Sequence, residues 1–149
     1  MKLSKNFTLS EMVSSTTATR LDIDNSPSFE VVNNLMALVD NILQPLREYM
    51  GITIRVSSGY RSPDLNRAIG GSKTSQHMVG EAADLICPGK NAKMFHYIKD
   101  NLPFDQLIWE FGTDKEPQWV HVSFSKKNRR GEVLVAKKNG KKTVYLPFK

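Results

Sequence analysis

Beyond Gly51 the spacing of apolar residues changes from about 3.6 to 2, and this switch limits the folds open to the chain. Before it, Val31, Val32, Leu35, Leu38, Val39, Ile42, Leu43 and Leu46 recur at helical spacing. The helix is expected to start at Ser26-Pro27, to be kinked or tightened by Pro45 and to end at Gly51. After it, residues 52–56, 81–87, 105–111 and 118–124 read as strands. Residues 132–147 read as a hairpin about Asn139-Gly140. A helix is expected over 92–102, and a short one from Ser62-Pro63 to about Ile69, closed by Gly70-Gly71. Thr8-Leu-Ser-Glu11 has capping-box spacing, whereas 15–28 is rich in Ser, Thr, Asp and Asn and reads as irregular. The expectation is an α+β fold, a mainly antiparallel sheet with helices packed on one face.

With 149 residues the chain is the size of one domain, expected to span 1–149. No apolar run approaches the roughly 18 residues of a membrane helix. Lysines near the N-terminus are not followed by an apolar stretch, so a chain made in the cytoplasm without a secretory signal is expected. A phage-encoded protein and an internal one both fit that expectation. Cys87 is the single cysteine, which excludes an internal disulfide. The net charge of +6 is concentrated in 126–149, where nine Lys and Arg accompany one acid, Glu132. Such a tail suits an anionic partner, a cell-wall polymer or nucleic acid, or simply a solvated surface. No interleaved aromatic and basic motif supports nucleic acid.

Strand 118–124 places Val120, Val122 and Phe124 on one face and Trp119, His121 and Ser123 on the other. In Gly80-Glu-Ala-Ala-Asp84, Ala82 and Asp84 share a face, and small neighbours leave room for ligands to converge on the acid. His77 lies just upstream, and Gly80 permits a sharp turn into the strand. Two imidazoles and a carboxylate make a set of the kind that holds catalytic zinc, with the fourth position left for water. On spacing alone, a His and an Asp in strands are more often structural than metal-binding.

Ser57-Ser-Gly-Tyr-Arg-Ser62, the Ser75-x-His77-x-x-Gly80-x-Ala82-x-Asp84 pattern and Trp119-Val-His121 together resemble the signature of the zinc D-alanyl-D-alanine carboxypeptidase family. That family includes vancomycin-resistance dipeptidases and phage L-alanyl-D-glutamate endopeptidases. The likeness runs from about residue 8 to about 125. It implies one zinc per chain held by His77, Asp84 and His121, and hydrolysis of peptidoglycan stem peptides as a D-Ala-D-Ala carboxypeptidase or an L-Ala-D-Glu endopeptidase. Separately, the chain is expected to be a monomer. Arg61 resembles the residue that grips a substrate carboxylate or steadies the polarised carbonyl, a task suited to a planar guanidinium. Ser75 and Gln76 are candidates to orient His77 or contact substrate, and Gln118 and Trp119 to line the cleft.

Many members carry an acid three residues before the second zinc histidine, where this chain has Gln118, whose amide cannot accept the proton. Glu110 and Glu116 are the alternatives. Glu110 is favoured because it falls on the polar side of its strand, opposite Leu107, Trp109 and Phe111. Its segment, Phe104 to Glu110, also resembles the related hedgehog zinc domains. A zinc-bearing binding module without catalysis is the alternative function. His96 reads as a surface or packing residue, and Cys87 as a buried thiol.

Overall fold

The computed structural model describes residues 1–149. Helices α1 (Leu9–Val13) and α2 (Thr16–Arg20) precede a long helical run made of α3 (Phe29–Leu38), a π-helical turn (Val39–Leu43) and α4 (Gln44–Met50). Strand β1 (Arg55–Ser58), helix α5 (Pro63–Ala68) and a 3₁₀ turn (Gln76–Val79) lead into β2 (Ala82–Ile86). Then come α6 (Asn91–Asn101), β3 (Gln106–Glu110), β4 (Trp119–Ser123), β5 (Glu132–Asn139) and β6 (Lys142–Pro147). The strands form one sheet in the order β1-β2-β4-β3-β5-β6, antiparallel throughout except where β5 runs parallel to β3. The α+β expectation holds.

Thr8 and Glu11 close the expected capping box on α1. The long helix starts later than Ser26-Pro27: Ser28 caps it, its hydroxyl accepting the Val31 amide. Pro45 widens the helix rather than tightening it. The proline ring clashes with the carbonyl four residues back, and the turn before it relaxes to i→i+5 bonding, with Gln44 N–H donating to Val39. Residues 15–28 are not all irregular, since Ser15 caps α2 by accepting the Ala18 amide. Strand β1 lies three residues beyond its expected start, and Ile52 is 40% exposed. The reason lies across the sheet. The β1–β2 pairing ends at Arg55 opposite Ile86, and the next residue, Cys87, turns its amide to the Asn91 side chain. In the last hairpin Asn139 pairs with Lys142, which makes Gly140-Lys141 the turn. Gly140 takes the required positive φ, 66°.

One face of the sheet carries Leu85, Val120 and Trp109 in one row and Ala83, Val122 and Leu107 in the next. These side chains join Leu35, Leu38, Ile42, Leu43 and Leu46 of the long helix and Met94, Phe95 and Ile98 of α6 in a single core. Burying that face commits the alternate residues to the other, which forms a cleft.

Candidate active site

Pairing register assembles the open face as a grid. Asp84 sits opposite His121, His121 opposite Ile108, and Ile108 opposite Leu134. The adjacent row runs Trp119, Glu110, Ala136, Tyr145. His77 enters from the 3₁₀ turn, whose end Gly80 turns sharply at φ 78° towards β2. A side chain at Gly80 would also meet the Val31 carbonyl at 2.8 Å.

The three candidate ligands converge. Asp84 Oδ1 lies 3.0 Å from His121 Nδ1 and 3.5 Å from His77 Nε2. Ligand atoms of all three residues lie within 4.8 Å of one another. Donors about 2.0–2.1 Å from a tetrahedral ion lie roughly 3.3 Å apart, so this spacing fits such an ion. Burial pushes the Asp84 carboxyl up, but the two imidazoles beside it more than offset this and hold it well below the usual range. Burial lowers His77, which keeps its imidazole neutral, the form that ligates. The acid is therefore ionised and His77 has a lone pair to offer.

The ring of His77 is oriented by a group the sequence reading did not single out. Its Nδ1 lies 2.7 Å from the Gly59 carbonyl, to which it donates, leaving Nε2 turned to Asp84. Gly59 is itself pressed against α1, and a Cβ there would meet the Met12 carbonyl at 2.2 Å. The glycine of the Ser-Gly-Tyr-Arg stretch was visible in sequence, but not the use of its carbonyl. Gly59→Ala is expected to destabilise the fold by about 1–3 kcal/mol in denaturant titration. It should also weaken metal binding about 10–100-fold in chelator competition.

Arg61 lines the same cleft. Its guanidinium makes one side-chain hydrogen bond, a long 3.4 Å contact to Ser75 Oγ, and its buried Nε has no partner. The loop carrying it is clamped by Asn25, which donates to the Val13 and Tyr60 carbonyls and accepts the Ser62 amide. Ser75 Oγ accepts the His77 main-chain amide and so caps the 3₁₀ turn, acting on the backbone of His77 and not its ring. Gln76 also lines the cleft, but its amide is engaged by Glu81, Asp105 and Arg130.

The two acids separate sharply. Glu110 is 7% exposed, lines the cleft and has its carboxyl pushed up to about 7 by burial, with His121 opposing and Asp84 adding to the rise. Glu116 lies elsewhere: its carboxylate accepts the Asn91 and Ala92 amides and caps α6. Gln118 does not reach the cleft. It is exposed, just before the strand that starts at Trp119, and is not among the residues lining the cleft. Trp119 lines the cleft and lies against Phe111, with ring centroids 5.4 Å apart. Phe111 departs from strand parity because it takes φ 58°, which brings it to the cleft instead of the core. His96 is exposed, edge-on to Trp109, and Cys87 is buried.

Residues 5–123 match the family model for peptidase M15. The chain belongs to the peptidase M15 family. Among curated proteins none matches it significantly. The matched span contains every M15 candidate residue above and stops short of the β5–β6 hairpin. No helix in this M15 chain is long and apolar enough to cross a membrane.

Proposed function

We propose that the chain is a zinc peptidase hydrolysing stem peptides of bacterial peptidoglycan. The observation that carries this is a cleft of about 710 Å³ in which the His77–Asp84–His121 cluster, Glu110 and the unpaired Arg61 face one another. His77, Asp84 and His121 would hold the ion, and zinc there supplies a Lewis acid that polarises the scissile carbonyl and acidifies the attacking water. Glu110 takes the proton of that water at its carboxylate and returns it to the leaving amine. Burial raises its affinity for a proton above that of an ordinary carboxylate, which suits a proton acceptor. Arg61 holds a substrate carboxylate through paired hydrogen bonds and fixes the peptide along the sheet. Trp119 forms the adjoining wall. The place of Glu110 favours catalysis over a binding module of the same fold.

Arg61→Lys is expected to keep zinc and fold and to lose about 10–100-fold in kcat/KM, because an ammonium cannot form the paired bonds. Wild-type kinetics for that variant would remove the carboxylate clamp. The function itself is tested on purified peptidoglycan. New amino termini should appear with the zinc-loaded protein, vanish with chelator and return with zinc, whereas an unchanged amine titre would overturn the reading.

A further inference from the structure

The hairpin that follows the family-matched span is part of the cleft. Because β5 lies parallel to β3, its register continues both rows of the open face, placing Leu134 beside Ile108 and Tyr145 two strands from Glu110. Between Glu110 and Tyr145 stands Ala136, too small to fill the space above it. One step nearer the turn, Lys138 pairs with Thr143. Lys138, Thr143 and Tyr145 all line the cleft that holds the metal cluster.

The charges in that cleft are unequally committed. Arg130 is tied to Asp105 by two nitrogens, at 2.9 and 3.1 Å. Arg61 and Lys138 have no carboxylate within 4.0 Å. Lys138 lies over the Phe111 ring, its Nζ 5.1 Å from the centroid. The left-handed backbone at Phe111 brings that ring to the cleft, so the ammonium is steered there by a strained residue next to Glu110. Two uncommitted cations in one cleft, one from the SGYRS loop and one from the hairpin, match a ligand with two separated anionic groups.

We propose that the β5–β6 hairpin is a specificity wall, with Lys138 binding a second substrate carboxylate distinct from the one held by Arg61. The inference rests on the peptidase reading and narrows its substrate to peptides bearing two free carboxylates. Thr143 and Tyr145 complete the wall, offering hydroxyls beside the ammonium. The tail's basic character is thus divided, since Lys138 serves the cleft while Lys141 lies exposed in the turn.

The test uses the whole 149-residue chain, freed of metal, so that binding is read without turnover. The probe is L-Ala-γ-D-Glu-L-Lys, which has a free glutamyl α-carboxylate and a free terminal carboxylate, with its two mono-amides. Titration calorimetry at low salt should show that amidating one of these positions weakens wild-type binding by about fivefold, as for a partly exposed charge pair. Lys138→Met should erase that difference, Lys138→Arg should retain it, and Lys141→Met should leave it intact. Raising the salt should shrink it in the wild type. The proposal falls if neither amidation weakens binding, or if both amidations cost Lys138→Met as much as they cost the wild type. Binding with the expected pattern but no cleavage after zinc is restored would uphold the wall and refute the peptidase reading.

Discussion

Glu110→Gln is expected to lower turnover at least about a hundredfold while zinc content stays at the wild-type level. The amide keeps the size and position of the side chain in the row Trp119–Glu110–Ala136 but cannot accept a proton. Glu116→Gln is the matched control. Its carboxylate caps α6, so that variant should keep wild-type turnover and lose about 0.5–2 kcal/mol of stability. Assays at saturating zinc separate a catalytic defect from loss of metal. A dead Glu116→Gln beside an active Glu110→Gln would move the base to the loop.

The same substitution has a signature in stability. In metal-free protein the Glu110 carboxyl is raised to about 7 from 4.5, so the folded state binds its proton more tightly than the unfolded state. That contribution is fully present below about pH 4.5 and is lost as pH rises through 7. Glu110→Gln escapes the loss. At pH 8 the metal-free variant should exceed the wild type by about 3 kcal/mol in urea titration, and at pH 4 the two should coincide. Asp84, held low, acts in the opposite sense, its contribution disappearing only as pH falls below the ordinary carboxylate range. The two windows do not overlap.

The second large effect concerns the metal. His121→Ala removes one of three ligand candidates and leaves Asp84 with His77 alone at 3.5 Å. Zinc affinity should drop by more than about a hundredfold, and activity with it. For the wild type, zinc at 100 times Kd should add about 2.7 kcal/mol to stability, whereas His121→Ala should gain almost nothing at that concentration. Stoichiometric zinc in purified His121→Ala would overturn the ligand assignment.

Much of this site was legible because strand parity is a strong constraint. Alternation in Trp119-Val-His-Val-Ser123 fixes which side chains leave the core, and the same rule set Glu110 apart from Leu107 and Trp109. Where parity failed, a local backbone feature was responsible, as at Phe111 with its positive φ. Gln118 falls outside the cleft, since an odd spacing from His121 on an extended chain does not share its face. The π turn before Pro45 and the late start of β1 depend on which backbone groups find partners, and hydrophobic period does not report that. The Gly59 carbonyl and the Asn25 clamp are main-chain contacts across 18 and 35 residues, with no trace in spacing. The hairpin was recognised from Asn139-Gly140 and its charges, but only the parallel pairing with β3 brings Lys138 and Tyr145 to the cleft.

Zinc-dependent cleavage of a stem peptide is tested most directly by mass spectrometry of a defined muropeptide after incubation with the zinc-loaded chain. The expected result is hydrolysis at a single peptide bond of the stem, next to a residue with a free carboxylate, abolished by chelation and by Glu110→Gln. An intact muropeptide under zinc saturation, with the wild-type protein folded and the metal bound, would contradict it.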